Sequence, residues 1–184
     1  MVRRAHQVGK IALTVIRPSW LYGPRDRATL PRLIDSLRRG RLKFIGDGDN
    51  RLNVVHAGNV AEAAILAANS ERAIGEAYNC TYDGILTQRQ YFDAIANALG
   101  VPRVTKSVPY SAANNAALAM ECFGRLFRSK KPPLATRYAI WLMGRRSFFE
   151  CQKVKDHLGW TSTVGYTEGI PAAVRECVRT AGNS

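Results

Sequence analysis

The stretch Ile11-Ala12-Leu13-Thr14-Val15-Ile16-Arg17-Pro18-Ser19-Trp20-Leu21-Tyr22-Gly23-Pro24-Arg25-Asp26 carries most of the fold information in this chain. Ile11–Ile16 is a short apolar run rich in β-branched side chains, the composition of a buried strand. Arg17-Pro18 ends it, because proline has no N–H to give to a central ladder. Tyr22-Gly23-Pro24-Arg25-Asp26 reads as a turn-rich loop. Beyond it, Thr29 is expected to cap a helix with Pro31 in its first turn. Leu30, Leu33, Ile34 and Leu37 fall on one face of that helix, Arg32, Arg38, Arg39 and Arg41 stay solvated, and Gly40 is a natural stop.

Outward from this stretch, strands and helices alternate. Lys43–Gly46 and Leu52–His56 read as strands around a Gly46-Asp47-Gly48-Asp49-Asn50 loop. Asn59 is expected to be an N-cap, with Glu62 three residues on in a capping-box pattern. The alanine-rich helix it would start, Val60–Asn69, is apolar on most faces and is expected to be buried. Ala77–Cys80 reads as a strand. Thr87 caps a helix to Leu99, closed by Gly100 and Pro102. Val104–Val108 is extended, Ser111–Arg128 is a long apolar helix with a basic end, and Tyr138–Met143 is helical or extended. Gln152–Leu158 is a short helix closed by Gly159. Thr167–Val178 is the last helix, with Glu168 where the dipole favours an acid. The class is α/β or α+β.

The 184 residues are 46% hydrophobic and 22% charged, which fits one packed domain and excludes a disordered chain. The net charge of +13 is uneven: residues 1–43 hold 11 basic and 2 acidic side chains. Such a bias suits an anionic partner: nucleic acid, a phosphate-bearing cofactor or an acidic membrane surface. Cys80, Cys122, Cys151 and Cys177 form no Cys-x-x-Cys pair, and His6, His56 and His157 are the only histidines, so no metal site is expected. No secretory signal is expected from the first residues, and no apolar run reaches the ~20 residues that span a bilayer. Nucleic-acid binding lacks any zinc-finger or aromatic RNA-reading motif, and no nucleic-acid partner is expected.

Three segments resemble one family. They are Thr14–Asp26, Phe44-Ile45-Gly46-Asp47-Gly48-Asp49-Asn50-Arg51-Leu52-Asn53-Val54-Val55-His56-Ala57-Gly58-Asn59-Val60-Ala61-Glu62-Ala63, and Gly75-Glu76-Ala77-Tyr78-Asn79-Cys80-Thr81. They are similar to the carboxyl half of the extended short-chain dehydrogenase/reductases, the NAD-dependent epimerase/dehydratase superfamily. Pro133–Tyr138 and Phe148–Trp160 resemble its 3β-hydroxysteroid dehydrogenase branch, which includes decarboxylating sterol dehydrogenases. The resemblance implies an α/β chain: the C-terminal part of a Rossmann-type fold with the small, mostly helical substrate-binding domain. Residues 1–26 would be the last part of the sheet and the cleft loop. Residues 27–184 would be the substrate-binding region, with its apolar helix at 111–128.

Two family elements are missing. There is no Gly-x-Gly-x-x-Gly turn; Gly46-Asp47-Gly48-Asp49-Asn50-Arg51 has Arg at the third position, and its acids would repel a pyrophosphate. The family's Tyr-x-x-x-Lys pair, in which Lys lowers the tyrosine pKa for proton exchange, is also absent: none of the seven tyrosines has Lys four residues on. The expectation is a chain starting after the chemistry, as a fragment or from a mis-called start, with no catalytic residue of its own. NAD or NADP would serve the intact family member, without tight binding to this part alone.

The resemblance also implies site residues. Arg17, Pro18, Ser19 and Trp20 would face the nicotinamide; the alternative is a strand end beside core aromatics. Tyr22 and Arg25 would shape the cleft mouth, or form a surface turn. Arg51 matches a phosphate-binding arginine of sugar-nucleotide epimerases, or is a solvated side chain. His56 and Asn59 would begin the helix that closes the cleft, His56 as a structural histidine or a catalytic acid. Tyr82 would line the cleft or pack. The Ser111–Lys131 stretch reads as an interfacial membrane helix or an ordinary core or dimer helix.

The leading expectation is the substrate-binding half of an NAD(P)-dependent oxidoreductase acting on a hydroxyl or keto group of a steroid- or isoprenoid-like substrate, inactive alone. The expected partners are a small hydrophobic alcohol or ketone, and a homodimer mate or the missing N-terminal half. Cytoplasmic or membrane-associated placement is expected. The alternatives are a nucleotide-sugar epimerase/dehydratase or reductase fragment, and a peripheral membrane or nucleic-acid binding module.

Overall fold

The computed structural model describes residues 6, 7, 9, 11–126 and 136–182. In chain order its elements are β1 (Val15–Pro18), β2 (Trp20–Tyr22), α1 (Thr29–Arg38), β3 (Phe44–Ile45), β4 (Val54–His56) and α2 (Ala57–Ala68). A 3₁₀ turn (Glu71–Ala73), β5 (Ala77–Cys80), α3 (Gln88–Leu99), β6 (Ser107–Val108), α4 (Tyr110–Leu126), α5 (Arg137–Gly144), α6 (Gln152–Leu158) and α7 (Tyr166–Gly182) follow. The class is α/β, and every strand pair among the described residues is parallel.

The contacts divide the chain into two interleaved units. Residues 1–27, 53–85 and 149–184 form the first, and 28–52 with 86–148 form the second. The chain leaves the first unit after residue 27 and returns to it twice.

In the first unit β1 pairs with β5, Val15 opposite Ala77 and Pro18 opposite Cys80, and β2 pairs with β4, Tyr22 opposite His56. Tyr78 and Cys80 of β5 turn into a core with Val55, Ala63, Ala67, Ala73, Cys151, Val154 and Trp160. Trp160 is held there by a bond from its Nε1–H to the Asn59 carbonyl, 2.9 Å. The Cys80 thiol is pushed up to about 12 by burial and then by Cys151. It is an inert core group rather than a reactive thiol.

In the second unit the amphipathic pattern of α1 is as expected: Leu30, Leu33, Ile34 and Leu37 are buried while Arg32, Arg38 and Arg39 stay exposed. Thr87 caps α3 through a complete capping box with Gln90, and Gly100 closes it at φ +66°. β3 pairs with β6. Ile45, Ala113, Ala117 and Ile140 form a small core where α4 and α5 pack.

Several expectations are corrected. The first strand runs Val15–Pro18 instead of Ile11–Ile16, is half-exposed, and includes Pro18. Proline fits there because β1 has a neighbour only in β5 among the described residues. Thr29 is the first helical residue and not the cap, which is Ala28 without a side-chain bond. The N-cap of α2 is His56, not Asn59; Asn59 lies one turn in and is fully buried. The α2 helix is also not buried throughout: Ala61, Ala64, Ile65 and Ala68 are exposed.

Asn59 binds a segment more than a hundred residues away. Its Nδ2 donates to the Val164 carbonyl at 3.0 Å, and its Oδ1 accepts from the Val164 N–H at 2.9 Å and the Thr163 hydroxyl at 3.2 Å. Removing a buried partner leaves the backbone groups it served unsatisfied, at roughly 1–3 kcal/mol. Asn59→Ala should lower the urea midpoint by an amount equivalent to about 2 kcal/mol, whereas Glu62→Ala, whose carboxylate takes an exposed Thr163 bond, should move it little.

Candidate functional site

The first unit gathers its chemistry where parallel strands end. The Ser19 N–H donates to the Cys80 carbonyl at 2.9 Å, continuing the β1–β5 ladder by one residue. The Ser19 hydroxyl donates to Thr81 Oγ1 at 3.1 Å. The Trp20 N–H donates to the Asn53 carbonyl, 3.1 Å, and the Tyr82 N–H to the Val54 carbonyl, 2.9 Å. These bonds stitch β1, β2, β4 and β5 together at one rim. Asn53, almost fully buried, also accepts the Phe149 N–H on its Oδ1 at 2.9 Å.

Of the four residues expected to face a cofactor, Arg17 and Pro18 are exposed and Ser19 and Trp20 half-buried. The last two already spend their N–H groups inside the chain. The Arg17 and Pro18 side chains are the more exposed of the four.

Tyr22 is buried, and its ring meets His56 edge-on with centroids 5.4 Å apart. Burial, and then Tyr82, holds the Tyr22 phenol far above the usual tyrosine range. It does not ionise near neutral pH. His56 accepts the Gly58 N–H on Nδ1 at 3.1 Å, which makes it the cap of α2. That bond needs an unprotonated Nδ1, so Nε2 carries the hydrogen of the neutral ring. Burial lowers the His56 pKa in the same sense.

Two glycines let this group close up. A Cβ on Gly23, whose φ is +147°, would sit 3.3 Å from His56 Nε2 and Ala57 Cβ. A Cβ on Gly169 would come within 3.0 Å of the Tyr22 hydroxyl. Tyr166 at the start of α7 meets Tyr82 edge-on at 5.9 Å. Burial, then Asp83, then Tyr166 raise the Tyr82 pKa. Arg25 is the one non-glycine residue with positive φ among those described, at 66°. Its charge helps hold the Glu176 carboxyl low, after Arg179.

Tyr22, His56 and Tyr82 are thus brought together, and Arg25 lies on the same unit. Asn59 belongs to the same unit, but its amide is committed to Val164 and Thr163, so it positions the 160–166 segment. Arg51 lies in the second unit, its guanidinium stacked 4.1 Å over the Phe148 ring. Asn50, its neighbour, donates to the Met143 carbonyl and keeps a buried Oδ1 without a partner among the described residues. Asn53, Thr81, Tyr166 and Gly169 were not anticipated from sequence; only Asn53, polar inside an apolar strand run, carried a local signal. Among the described residues no three His, Cys, Asp or Glu side chains converge as metal ligands, and no helix is long and apolar enough to cross a membrane.

Comparison with known proteins places this arrangement. The chain is 27% identical to a 2-alkyl-3-oxoalkanoate reductase of Stenotrophomonas maltophilia, over 87% of its own length and 50% of the reductase. It is 31% identical to a 3beta-hydroxysteroid-dehydrogenase/decarboxylase (isoform 1) of Arabidopsis thaliana, over 95% of its length and 42% of that protein. It therefore spans about half the length of these curated relatives or less. The solved structure of UDP-glucuronic acid 4-epimerase from Bacillus cereus in complex with NAD shares its fold, with a TM-score of 0.66 at 16% identity, covering 97% of this chain and 49% of that one. The sequence profile of the 3-beta hydroxysteroid dehydrogenase/isomerase family matches residues 3–106, more than half of the chain. The chain belongs to the 3-beta hydroxysteroid dehydrogenase/isomerase family, within the extended short-chain dehydrogenase/reductases.

Proposed function

We propose that this chain forms the substrate-binding part of an NAD(P)-dependent oxidoreductase acting on a hydroxyl or keto group of a steroid- or isoprenoid-like substrate. The observation that carries the reading is the rim at the carboxyl ends of β1 and β5, where Pro18 and Cys80 lead into Ser19–Tyr22 and Thr81–Tyr82. In open parallel sheets, ligands lie outside the carboxyl ends of the strands. The names of the relatives support a carbonyl or carbinol substrate, and the NAD of the epimerase structure supports the cofactor class.

In this reading Arg17 and Pro18 border the nicotinamide end of the dinucleotide. Tyr22, Arg25 and Tyr82 form the substrate side, with Trp20 between. Arg17 and Pro18 would hold the nicotinamide end of the cofactor, whose chemistry would be hydride acceptance from a carbinol carbon or donation to a carbonyl carbon. No tyrosine here has a lysine four residues on to lower its pKa, and burial keeps the Tyr22 phenol in its protonated form. His56 acts by capping α2, not by moving a proton.

Binding can be read on the chain itself. A 3-ketosteroid should change the tryptophan fluorescence, and Trp20→Phe should abolish the response while Trp141 and Trp160 remain. A saturable response to UDP-glucose with none to the steroid would overturn the substrate class in favour of a nucleotide sugar.

The His56 reading makes a pH prediction. A lowered folded pKa means the unfolded chain binds the proton more readily. The contribution is therefore full above about pH 6.5 and is lost as pH falls through the lower folded value. Urea midpoints should drop between pH 7.5 and pH 5 in the native chain. His56→Asn, which keeps a capping side chain without the titration, should remove that part of the drop. His56→Ala should cost about 1 kcal/mol at neutral pH.

A second reading concerns α4. Ala113 and Ala117 face inward, while Leu118, Ala119, Cys122 and Phe123 are exposed. Large apolar side chains outside and small ones inside suit a helix that rests on a lipid surface. Arg128, Lys130 and Lys131, expected to add a basic end, lie outside the described residues. Co-sedimentation with vesicles containing anionic lipid, weakened by Leu118→Ser with Phe123→Ser, supports this reading; no pelleting removes it.

A further inference from the structure

The basic excess of the chain belongs to one of its units. Residues 28–52 and 86–148 carry 16 basic and 5 acidic side chains, whereas the first unit carries 11 and 9. Within the second unit a groove of about 220 Å³ lies between the end of α1 and the segment that follows α3. Arg38 of α1 lines one side, Arg103, Thr105 and Lys106 line the other, and no carboxylate lines it among the described residues. Leu37 and Val104, both buried, give it an apolar floor. The Phe44 N–H donates to the Lys106 carbonyl at 2.9 Å, so β3 fixes the segment where it enters β6.

Two of these cations are uncommitted. Among the described residues neither Arg38 nor Lys106 forms an ion pair or a side-chain hydrogen bond. Arg103 reaches Asp93 at 3.9 Å, beyond hydrogen-bond length. Asp35, the one acid of α1, is bonded to Arg39 at 2.8 Å. Basic side chains near a helix end commonly serve its last carbonyls. Here the Arg39, Gly40 and Arg41 N–H groups already donate to the Asp35, Leu37 and Ser36 carbonyls at 3.1, 2.9 and 2.9 Å. The Gly100 and Val101 N–H groups close α3 in the same way. The groove cations are therefore not needed to satisfy either helix end.

We propose that this groove binds a phosphate or diphosphate group, held by the Arg38 and Arg103 guanidinium groups, the Lys106 ammonium and the Thr105 hydroxyl. Like charges around a concave surface add their potentials and draw an anion between them. The fork of an arginine matches two phosphate oxygens at once, and lysine adds a point charge. The volume lies below the roughly 300–1,000 Å³ of sites that enclose drug-sized ligands. It takes the phosphate group and leaves the rest of the molecule outside. A soluble phosphate ester and a lipid headgroup share this chemistry. The site uses none of the rim residues of the first unit and does not depend on the substrate proposed for them.

Calorimetric titration of the 184-residue chain with inorganic pyrophosphate at low salt should give a saturable response, half-complete at roughly 1 mM or below and weaker at about 0.15 M salt. Arg38→Ala with Lys106→Ala should weaken binding at least ~10-fold, because hydrogen bonds to charged groups are the stronger ones. Arg32→Ala with Arg146→Ala removes the same two charges from exposed positions outside the groove, and should change binding by less than about twofold. All four positions are exposed, and circular dichroism checks that each variant folds. No saturable response, or equal weakening in both double variants, overturns the proposal. A parallel arm uses phosphatidylcholine vesicles containing phosphatidic acid. Pelleting that pyrophosphate competes away and Arg38→Ala with Lys106→Ala removes makes a lipid headgroup the phosphate source. Pyrophosphate binding without pelleting makes the source a soluble phosphate. Either outcome supports the site.

Discussion

The first unit depends on what Asn59 does inside α2. Its carbonyl holds the Trp160 indole N–H, and its side-chain amide meets both backbone polar groups of Val164. A fully buried amide in an apolar surround is costly unless each polar atom is matched, and here each is. The consequence reaches along the chain. Residues 149–184 are far from residue 59 in sequence, yet Trp160 completes the core against Val55, Tyr78 and Cys80, and α7 follows directly from the anchored Val164.

That anchoring builds the rim. With 160–166 fixed, Tyr166 stands edge-on to Tyr82, and Gly169 packs against the Tyr22 hydroxyl and His56. Asp83 and Ser162 exchange side-chain and backbone contacts across the same seam. The imidazole of His56 is wedged between two glycines and spends Nδ1 on capping, so it is a positioning group. Burial, and then Tyr82, raises the Tyr22 pKa well above the usual tyrosine range. The rim thus offers shape, an exposed arginine and hydroxyls.

On another flank of the same unit Ala61, Ala64, Ile65 and Ala68 of α2 are exposed. An alanine-rich helix is ordinarily hidden on all sides; α2 hides only Asn59, Ala63 and Ala67. Apolar surface that stays in water adds nothing to stability. The basic excess is a separate matter. Arg32, Arg38, Arg39 and Arg41 sit on the solvated side of α1 or just past it, with Arg39 bonded to Asp35 at 2.8 Å. An exposed pair of that kind is worth little.

Local signals made much of this legible in advance. The four-residue spacing of Leu30, Leu33, Ile34 and Leu37 placed the inner face of α1. Thr87 and Gly100 bounded α3, Gly159 closed α6, and Ala77–Cys80 was a strand as read. Motif order also pointed to the family. These features lie within a few residues of one another, and backbone conformation there is decided by neighbours. Tertiary structure decided the rest. It moved the cap of α2 from Asn59 to His56 because a buried amide has more to satisfy in Val164 than at a helix end. It shifted the first strand to Val15–Pro18 because β5 pairs there. It assigned Arg51 to the second unit, on the Phe148 ring, and brought in Asn53, Tyr166 and Gly169. Each of those outcomes turns on a partner tens to a hundred residues distant, and no local pattern records which distant groups a fold will bring into contact.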